Sequence, residues 1–479
     1  MAVHRAGLAE ARLGACILLV GWVVMSTGCP DPGQGGHGDM TSVSNAAQDL
    51  FGAKPPDLFG VAPPDLFGVP PGTDLGTSGS GCLAEPLLTS LGKTNILVGA
   101  SMTAATAKLA PFDARYLYLS GGLFDSTTPC SSCLSCTAFA DACCSSGAPG
   151  CPDPQGCAWW GCWQDDAQPP GGYVRDFITS NQNNQYMSAA RPLLPMITYY
   201  EELQASEGDK QGKEGPAQLA ALEGSALLTR YFNDWRFLLQ QIGDDVVLLH
   251  IEPDLWGYVE QADTQSLPAT KPPVATANPT DCSGEPSTMT GFARCLIKMV
   301  RKYAPNAKVG LHASPWGTSM DVVANANLSL DVKAEAEQLA DFLAGLGAQD
   351  GDYIVADVSD RDAGWDQMNG DDTWWDKTNA TLPNFSQAFA WSKALAERLG
   401  MPVLWWQIPV GNEGLNDTYQ KYRDNRVDYL LTHMDEVQAA HITGLFFGGG
   451  MSENTTPETD GGNLVNRVKA SAAAHAACP

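Results

Sequence analysis

The feature that most constrains this chain is an alternation. From residue 94 onward, short apolar, β-rich runs are separated by longer stretches with helical spacing. The runs are NILVGASM (95–102), RYLYLSGGL (115–123), PLLPMITYYEE (192–202) and VVLLHIEPD (246–254). KVGLHASPW (308–316), DYIVADVSD (352–360), PVLWWQIPVGN (402–412) and ITGLFFGGG (442–450) follow. Helical candidates lie at 216–241, 286–304, 332–346, 386–399, 419–440 and 463–476. In the first of these, Leu219, Leu222, Leu227, Phe232, Trp235 and Leu239 recur near the helical period. Strand then helix, eight times over, predicts an α/β fold, a (β/α)8 TIM barrel. The first helix has the least room, within 103–113. The alternative is a doubly wound sheet, but no Gly-rich phosphate loop follows the first run.

The flanks predict an exported protein. Arg5 and Arg12 precede the apolar run LGACILLVGWVVM (13–25), too short to span a bilayer, which ends at the small residues Ser26-Thr27-Gly28-Cys29. This segment resembles a bacterial lipoprotein signal with Cys29 as the lipidated residue, although Ser26 stands where that pattern prefers Leu. A plain cleaved signal is the alternative. Residues 1–29 are therefore expected to be a signal peptide, and a lipid anchor is expected to hold the protein in the cell envelope. Residues 30–81 contain three copies of Asp-Leu-Phe-Gly at a period of eight, amid Pro and Gly, and read as an extended linker. A partner docking on the repeated Leu-Phe pair is the other reading.

The remaining region, 82–479, holds the barrel. Of 14 cysteines, eight crowd into 130–162, within an insertion (124–165) between strands two and three. Cys282 and Cys295 bracket one loop, and Cys82 and Cys478 lie at the two ends of the region. An even set in an exported chain predicts disulfides, with Cys82 paired to Cys478 closing the barrel end to end. A metal cluster of Cys130, Cys133 and Cys136 is the rival reading. The net charge of −26 argues against nucleic acid as a partner. A monomer with no cofactor is expected.

In a barrel of this kind the carboxyl-terminal strand ends converge on one rim, where active sites are built. These ends carry Tyr199, Glu201 and Glu202 on strand three, and His250, Glu252 and Asp254 on strand four. Strand five offers His312, Ser314 and Trp316, strand six Asp357, and strand seven Trp405, Trp406, Gln407 and Asn412. Strand alternation puts His250 and Glu252 on one side and sets His312 beside His250 at one level. Hydrolysis of a glycosidic bond needs two carboxylates, about 5–5.5 Å apart for retention and about 6.5–9.5 Å for inversion. Glu252 is the expected acid/base, with Asp357, Glu201 or Asp254 as the second carboxylate. Helix capping is the competing role for any one of these acids. Trp256, Trp316, Trp365, Trp405 and Trp406, with Tyr199, His250, His312, Gln407 and Asn412, are expected to bind sugar rings and hydroxyls, although part of the tryptophan set serves packing. A metal held by His250, His312 and Asp357 is the rival chemistry, and none is expected.

Two resemblances sharpen this reading. Glu252-Pro253 at the end of strand four is similar to the Asn-Glu-Pro of the large retaining clan of barrel glycosidases, whose Glu is the acid/base. Here Ile251 replaces the Asn, and Gln407 lies where the clan's nucleophile Glu stands. Ile251-Glu252-Pro253-Asp254 also resembles the Ile-Glu-Pro-Asp string of the family 6 cellulases, followed in both by a helix and a strand ending in Trp, here VGLHASPWG. That family's general-acid motif after strand two and its Gly-Gly-Glu-Cys-Asp region have no counterpart. The resemblances imply a glycoside hydrolase acting on a polysaccharide. A non-catalytic barrel that binds glycan or a surface partner is the alternative, favoured by Gln407. The discriminating feature is a pair of carboxylates facing each other across the mouth.

Overall fold

The computed structural model describes residues 82–120, 123, 171–182, 192–206, 214–359, 361–471 and 475–478. The signal segment with Cys29, the linker, the cysteine-rich insertion and Asp360 lie outside these described residues. Eight parallel strands close into a barrel in sequence order. They are β1 (Leu97–Ala100), β2 (Ala114–Leu119), β3 (Leu194–Tyr199), β4 (Leu248–Ile251), β5 (Lys308–Ala313), β6 (Tyr353–Asp357), β7 (Val403–Ile408) and β8 (Ile442–Phe447). The ring closes where Leu97 to Ala100 pair with Gly444 to Phe447. The expected (β/α)8 barrel is the fold found.

The helices that cover the barrel are α1 (Ala104–Ala107), α2 (Gly172–Gln182), α3 (Ser225–Ile242), α4 (Met289–Tyr303), α5 (Val332–Leu346), α6 (Phe385–Leu399), α7 (Arg426–Thr432) and α8 (Asn463–Ala470). On α3, Leu228, Tyr231, Phe232, Trp235, Leu238, Leu239 and Ile242 are buried, the stripe that a helix lying on a sheet must present. Side chains cap several helix starts. Thr288 accepts the amide of Gly291, Asp331 that of Ala334 and Asn384 that of Gln387. α5 and α6 stop at Gly347 and Gly400 in the left-handed conformation. Among the described residues no helix is long and apolar enough to cross a membrane.

Three expected elements differ. The stretch 216–241 splits into Pro216–Ala221 and α3, because Gly224 adopts extended backbone and starts a new helix. The stretch 419–440 yields α7 and a separate helix, Met434–Ala439, with His433 outside helical geometry between them. β4 stops at Ile251, because the next residue, Glu252, has φ 48° and leaves the strand.

Both described disulfides pair as expected, Cys82 with Cys478 and Cys282 with Cys295. The first joins residues 396 apart in sequence and ties the two ends of the barrel region together.

Candidate active site

Register fixes which side chains line the barrel. Tyr118 pairs with Thr198, Thr198 with His250, His312 with Val355 and Asp357 with Trp406, so all of these share the inward face. His250 pairs in register with Gly310 rather than with His312. The two histidine rings nevertheless stack, with centroids 5.1 Å apart at 21°, and His250 Nε2 and His312 Nδ1 share a hydrogen bond of 3.0 Å. Thr198 Oγ1 lies 3.3 Å from the other nitrogen of His250. Trp406 presents its ring at a steep angle to both, 74° to His250 and 88° to His312, and floors the mouth. Burial pushes His312 down to about 3, and holds His250 well below its ordinary range with His312 adding to the effect. Both imidazoles are therefore neutral over the working pH range.

The turn after β4 departs from strand alternation. Glu252 has φ 48° and Asp254 φ 65°, a left-handed pair on either side of Pro253. Such backbone in non-glycine residues costs of order 1–3 kcal/mol each and persists only when its surroundings fix it. Here they do. The Glu252 amide donates to Tyr199 O at 2.7 Å. The Glu252 carboxyl accepts from the amides of Glu201 at 3.2 Å and Glu202 at 3.2 Å, and from the Tyr231 hydroxyl at 2.6 Å. Tyr231 belongs to α3, so the Glu252 carboxyl lies between the barrel wall and the helix layer, with no exposed surface. Burial pushes it up to about 8, against the lowering effect of these donors. The expectation that Glu252 works at the mouth is thus corrected. Left-handed backbone turns the carboxyl outward, where it is bonded to the Glu201 and Glu202 amides and to Tyr231. Glu201 likewise has no exposed surface.

That turn delivers Asp254 to the mouth. Oxygens of Asp254 and Asp357 and a ring nitrogen of His312 all lie within 4.8 Å of one another. Both aspartates are partly exposed, whereas His312 is buried. The Tyr200 hydroxyl donates to Asp254 Oδ2 at 3.1 Å and to Glu214 Oε1 at 3.2 Å. On the other side, the Gln407 amide satisfies its neighbours when its oxygen and nitrogen are exchanged: the nitrogen then donates to Asp357 Oδ2 at 3.2 Å, and the oxygen accepts from the Tyr118 hydroxyl at 3.0 Å and the Gly450 amide at 3.3 Å. Gln407 reaches inward because β7 has a register shift between Trp405 and Ile408, and Gln407 itself has φ 60°. The rival metal set also changes. His250 is committed to His312 and Thr198, and the group that converges is Asp254, His312 and Asp357.

The aromatic residues divide between mouth and core. Trp406 lies under the mouth, within 5.5 Å of Tyr118. Trp316 is partly exposed and packs on Tyr258 at 4.9 Å. A Cβ on Gly257 would come within 2.7 Å of both Ser314 and Trp316, so the bare helix backbone there is what lets this pair approach. Trp365 is partly exposed beneath the Arg361 guanidinium.

Three expected sugar binders turn out to be core. Trp256 is buried and donates to Ile251 O at 3.0 Å. Trp405 stacks on Phe389 of α6 and bonds Ser392. Tyr199 faces α3, where its hydroxyl donates to Asp234 at 2.6 Å. Each sits on the strand face, or in the turn, that packs against helices. Asn412 is used structurally, with its amide on Asp460 O at 2.7 Å. Sequence reasoning missed Tyr118 and Glu214. Tyr118 was legible from its parity with Tyr116 along β2. Glu214 carried no local signal.

Comparison with known proteins adds the following. No protein-family model and no curated protein matches the chain. Solved structures similar to it include glycoside hydrolases. One is the endoglucanase Cel6 of Mycobacterium tuberculosis, at 14% identity and TM-score 0.27, covering 49% of this chain and 56% of that one. The chain therefore spans little more than half of that enzyme's length. Another is a modular endo-β-1,4-mannanase from Cellulomonas fimi, at 11% identity and TM-score 0.43, covering 82% of this chain and 74% of that one. A third is a broad-specificity endoglucanase from an uncultured bacterium, at 14% identity and TM-score 0.36, covering 76% and 82%.

Proposed function

We propose that this barrel is a glycoside hydrolase that cleaves a polysaccharide, with Asp254 and Asp357 as its two working carboxylates. The observation that carries the reading is their approach across the mouth, oxygen to oxygen within 4.8 Å. A glycan-binding barrel without catalysis has no need to hold two carboxylates this close. Gln407, whose identity favoured the binding alternative, instead donates to one member of the pair.

An oxygen-to-oxygen approach of no more than 4.8 Å is too short for the about 6.5–9.5 Å that leaves room for a water between carboxylates, and stands nearer the about 5–5.5 Å of the retaining arrangement. Asp357, oriented by the Gln407 amide, takes the role of nucleophile. Its oxygen bonds to the anomeric carbon as the glycosidic bond breaks. Asp254 gives its proton to the departing oxygen, then takes one from the water that cleaves the covalent intermediate. The Tyr200 hydroxyl joins Asp254 to Glu214 and orients it. Tyr118 and the flanking tryptophans supply a hydroxyl and ring faces for sugar subsites.

The test is to incubate the oxidised full chain with a panel of β- and α-glucans, mannans, galactans and amino-sugar polymers. Reducing-end release is measured, and the configuration of the newly formed end is followed by NMR at early times. Release from one polymer with retained configuration is expected. Inverted product removes Asp357 as nucleophile. Binding without release from any polymer returns the molecule to the non-catalytic reading.

A further inference from the structure

The mouth holds a set of donors that glycosidic hydrolysis alone does not explain. His312 has no exposed surface, its Nδ1 is engaged by His250, and its Nε2 has no hydrogen-bond partner among the described residues. A buried imidazole nitrogen without a partner is costly unless something else engages it. Of the two ring nitrogens, Nε2 is the one left without a partner, and a ring nitrogen of His312 lies within 4.8 Å of oxygens from both Asp254 and Asp357.

We infer that Asp254, His312 and Asp357 form a binding site for a divalent first-row transition ion of the zinc class. One imidazole and two carboxylates match the nitrogen and oxygen ligands such ions take, with bonds of about 2.0–2.2 Å. Two carboxylates and a neutral imidazole also balance the charge of a divalent cation. Carboxylate rotation brings the three donors onto the ion.

The histidine pair supplies the outer support that metal-bound imidazoles use. In the ion-bound arrangement His250 Nδ1–H donates to Thr198 Oγ1 and His312 Nδ1–H donates to His250 Nε2. The lone pair of His312 Nε2 is then presented to the ion. The ion takes both carboxylates that the hydrolase reading assigns to catalysis. On that reading, bound zinc competes with glycan.

The experiment is calorimetric titration of ZnCl2 into the oxidised, chelator-stripped full chain, without glycan. One zinc per chain is expected in this site. The heat of that site is expected to vanish in H312Q and D357N, and to weaken by about 10–100-fold in H250Q, which leaves all three donors in place. Circular dichroism reports whether each variant folds. D254N, altered at a partly exposed donor, serves if H312Q does not fold. Zinc heat unchanged in the folded variants overturns the inference. No zinc bound by wild type, with hydrolysis intact, overturns the site and leaves the hydrolase standing. Zinc bound by wild type and lost in the variants, with no polymer cleaved, supports the site and overturns the hydrolase.

Discussion

Asp254 reaches the mouth because Glu252 does not. The turn that buries the Glu252 carboxyl behind the wall is the same turn that carries the next acid inward. Residue type and spacing announced both acids, but the positive-φ turn that holds them decided which carboxyl lies behind the wall and which reaches the mouth. A second buried acid, Glu260 on the helix Leu255–Thr264, gives a test at this scale. It is 2% exposed, and neither carboxyl oxygen has a hydrogen-bond partner among the described residues. Burial, with Glu335 and Asp263 adding repulsion, pushes it from 4.5 up to about 8. Between those values the folded chain keeps a proton that the unfolded chain has lost. Stability contributed by the neutral group is complete at lower pH and is lost as pH rises toward about 8, at about 1.4 kcal/mol per pH unit at most. Glu260→Gln is expected to flatten the fall of Tm between pH 5 and pH 8 and to stabilise the protein at pH 8 relative to wild type. Parallel Tm curves for the two proteins would count against this account of Glu260.

At the scale of elements, the strands are fixed by how little space the barrel leaves. Tyr353 points inward from β6 and its hydroxyl donates to Leu249 O at 2.8 Å, so its ring covers the position of Gly310 on β5. A Cβ there would lie 2.5 Å from the Tyr353 ring and 2.7 Å from its carbonyl oxygen. Gly310→Ala is therefore expected to destabilise the barrel by about 2–3 kcal/mol, since backbone as well as ring must move. Denaturant unfolding checks this, and an unchanged midpoint would show that the β5–β6 contact is slack. All eight strands were legible as apolar runs, because a parallel strand covered on both faces is apolar almost throughout. Their ends were less so. Alternation set His250 and His312 on the inward face, where they lie, but it also set Glu252 beside His250, and there left-handed backbone breaks the period; at β7 a register shift and positive φ at Gln407 break it again. Nothing in Ile-Glu-Pro-Asp or Trp-Gln-Ile marks such backbone, which non-glycine residues seldom adopt. Trp405 and Trp406 keep the period. They are adjacent in sequence, so one serves the core and the other floors the mouth.

For the whole molecule, the eightfold period carried the architecture, and the cysteine positions carried the closure of the barrel through Cys82 and Cys478. Asp357 was named from the sequence as the first candidate for the second carboxylate, but the acid it meets was not legible, because that depends on how the turn after β4 is folded. Only the closed ring shows Asp357 of β6 opposite the turn after β4. Function at this scale reduces to one claim, that the pair Asp254 and Asp357 works on substrate while Glu252 supports it from behind. The most direct measurement is kcat/KM on the cleaved polymer for wild type, D254N, D357N and E252Q, with circular dichroism of each. The account predicts losses of about a thousandfold or more in D254N and D357N. E252Q should lose only about tenfold, because the turn loosens without losing a reacting group. Full turnover in folded D254N or D357N, with activity abolished in folded E252Q, would contradict the account.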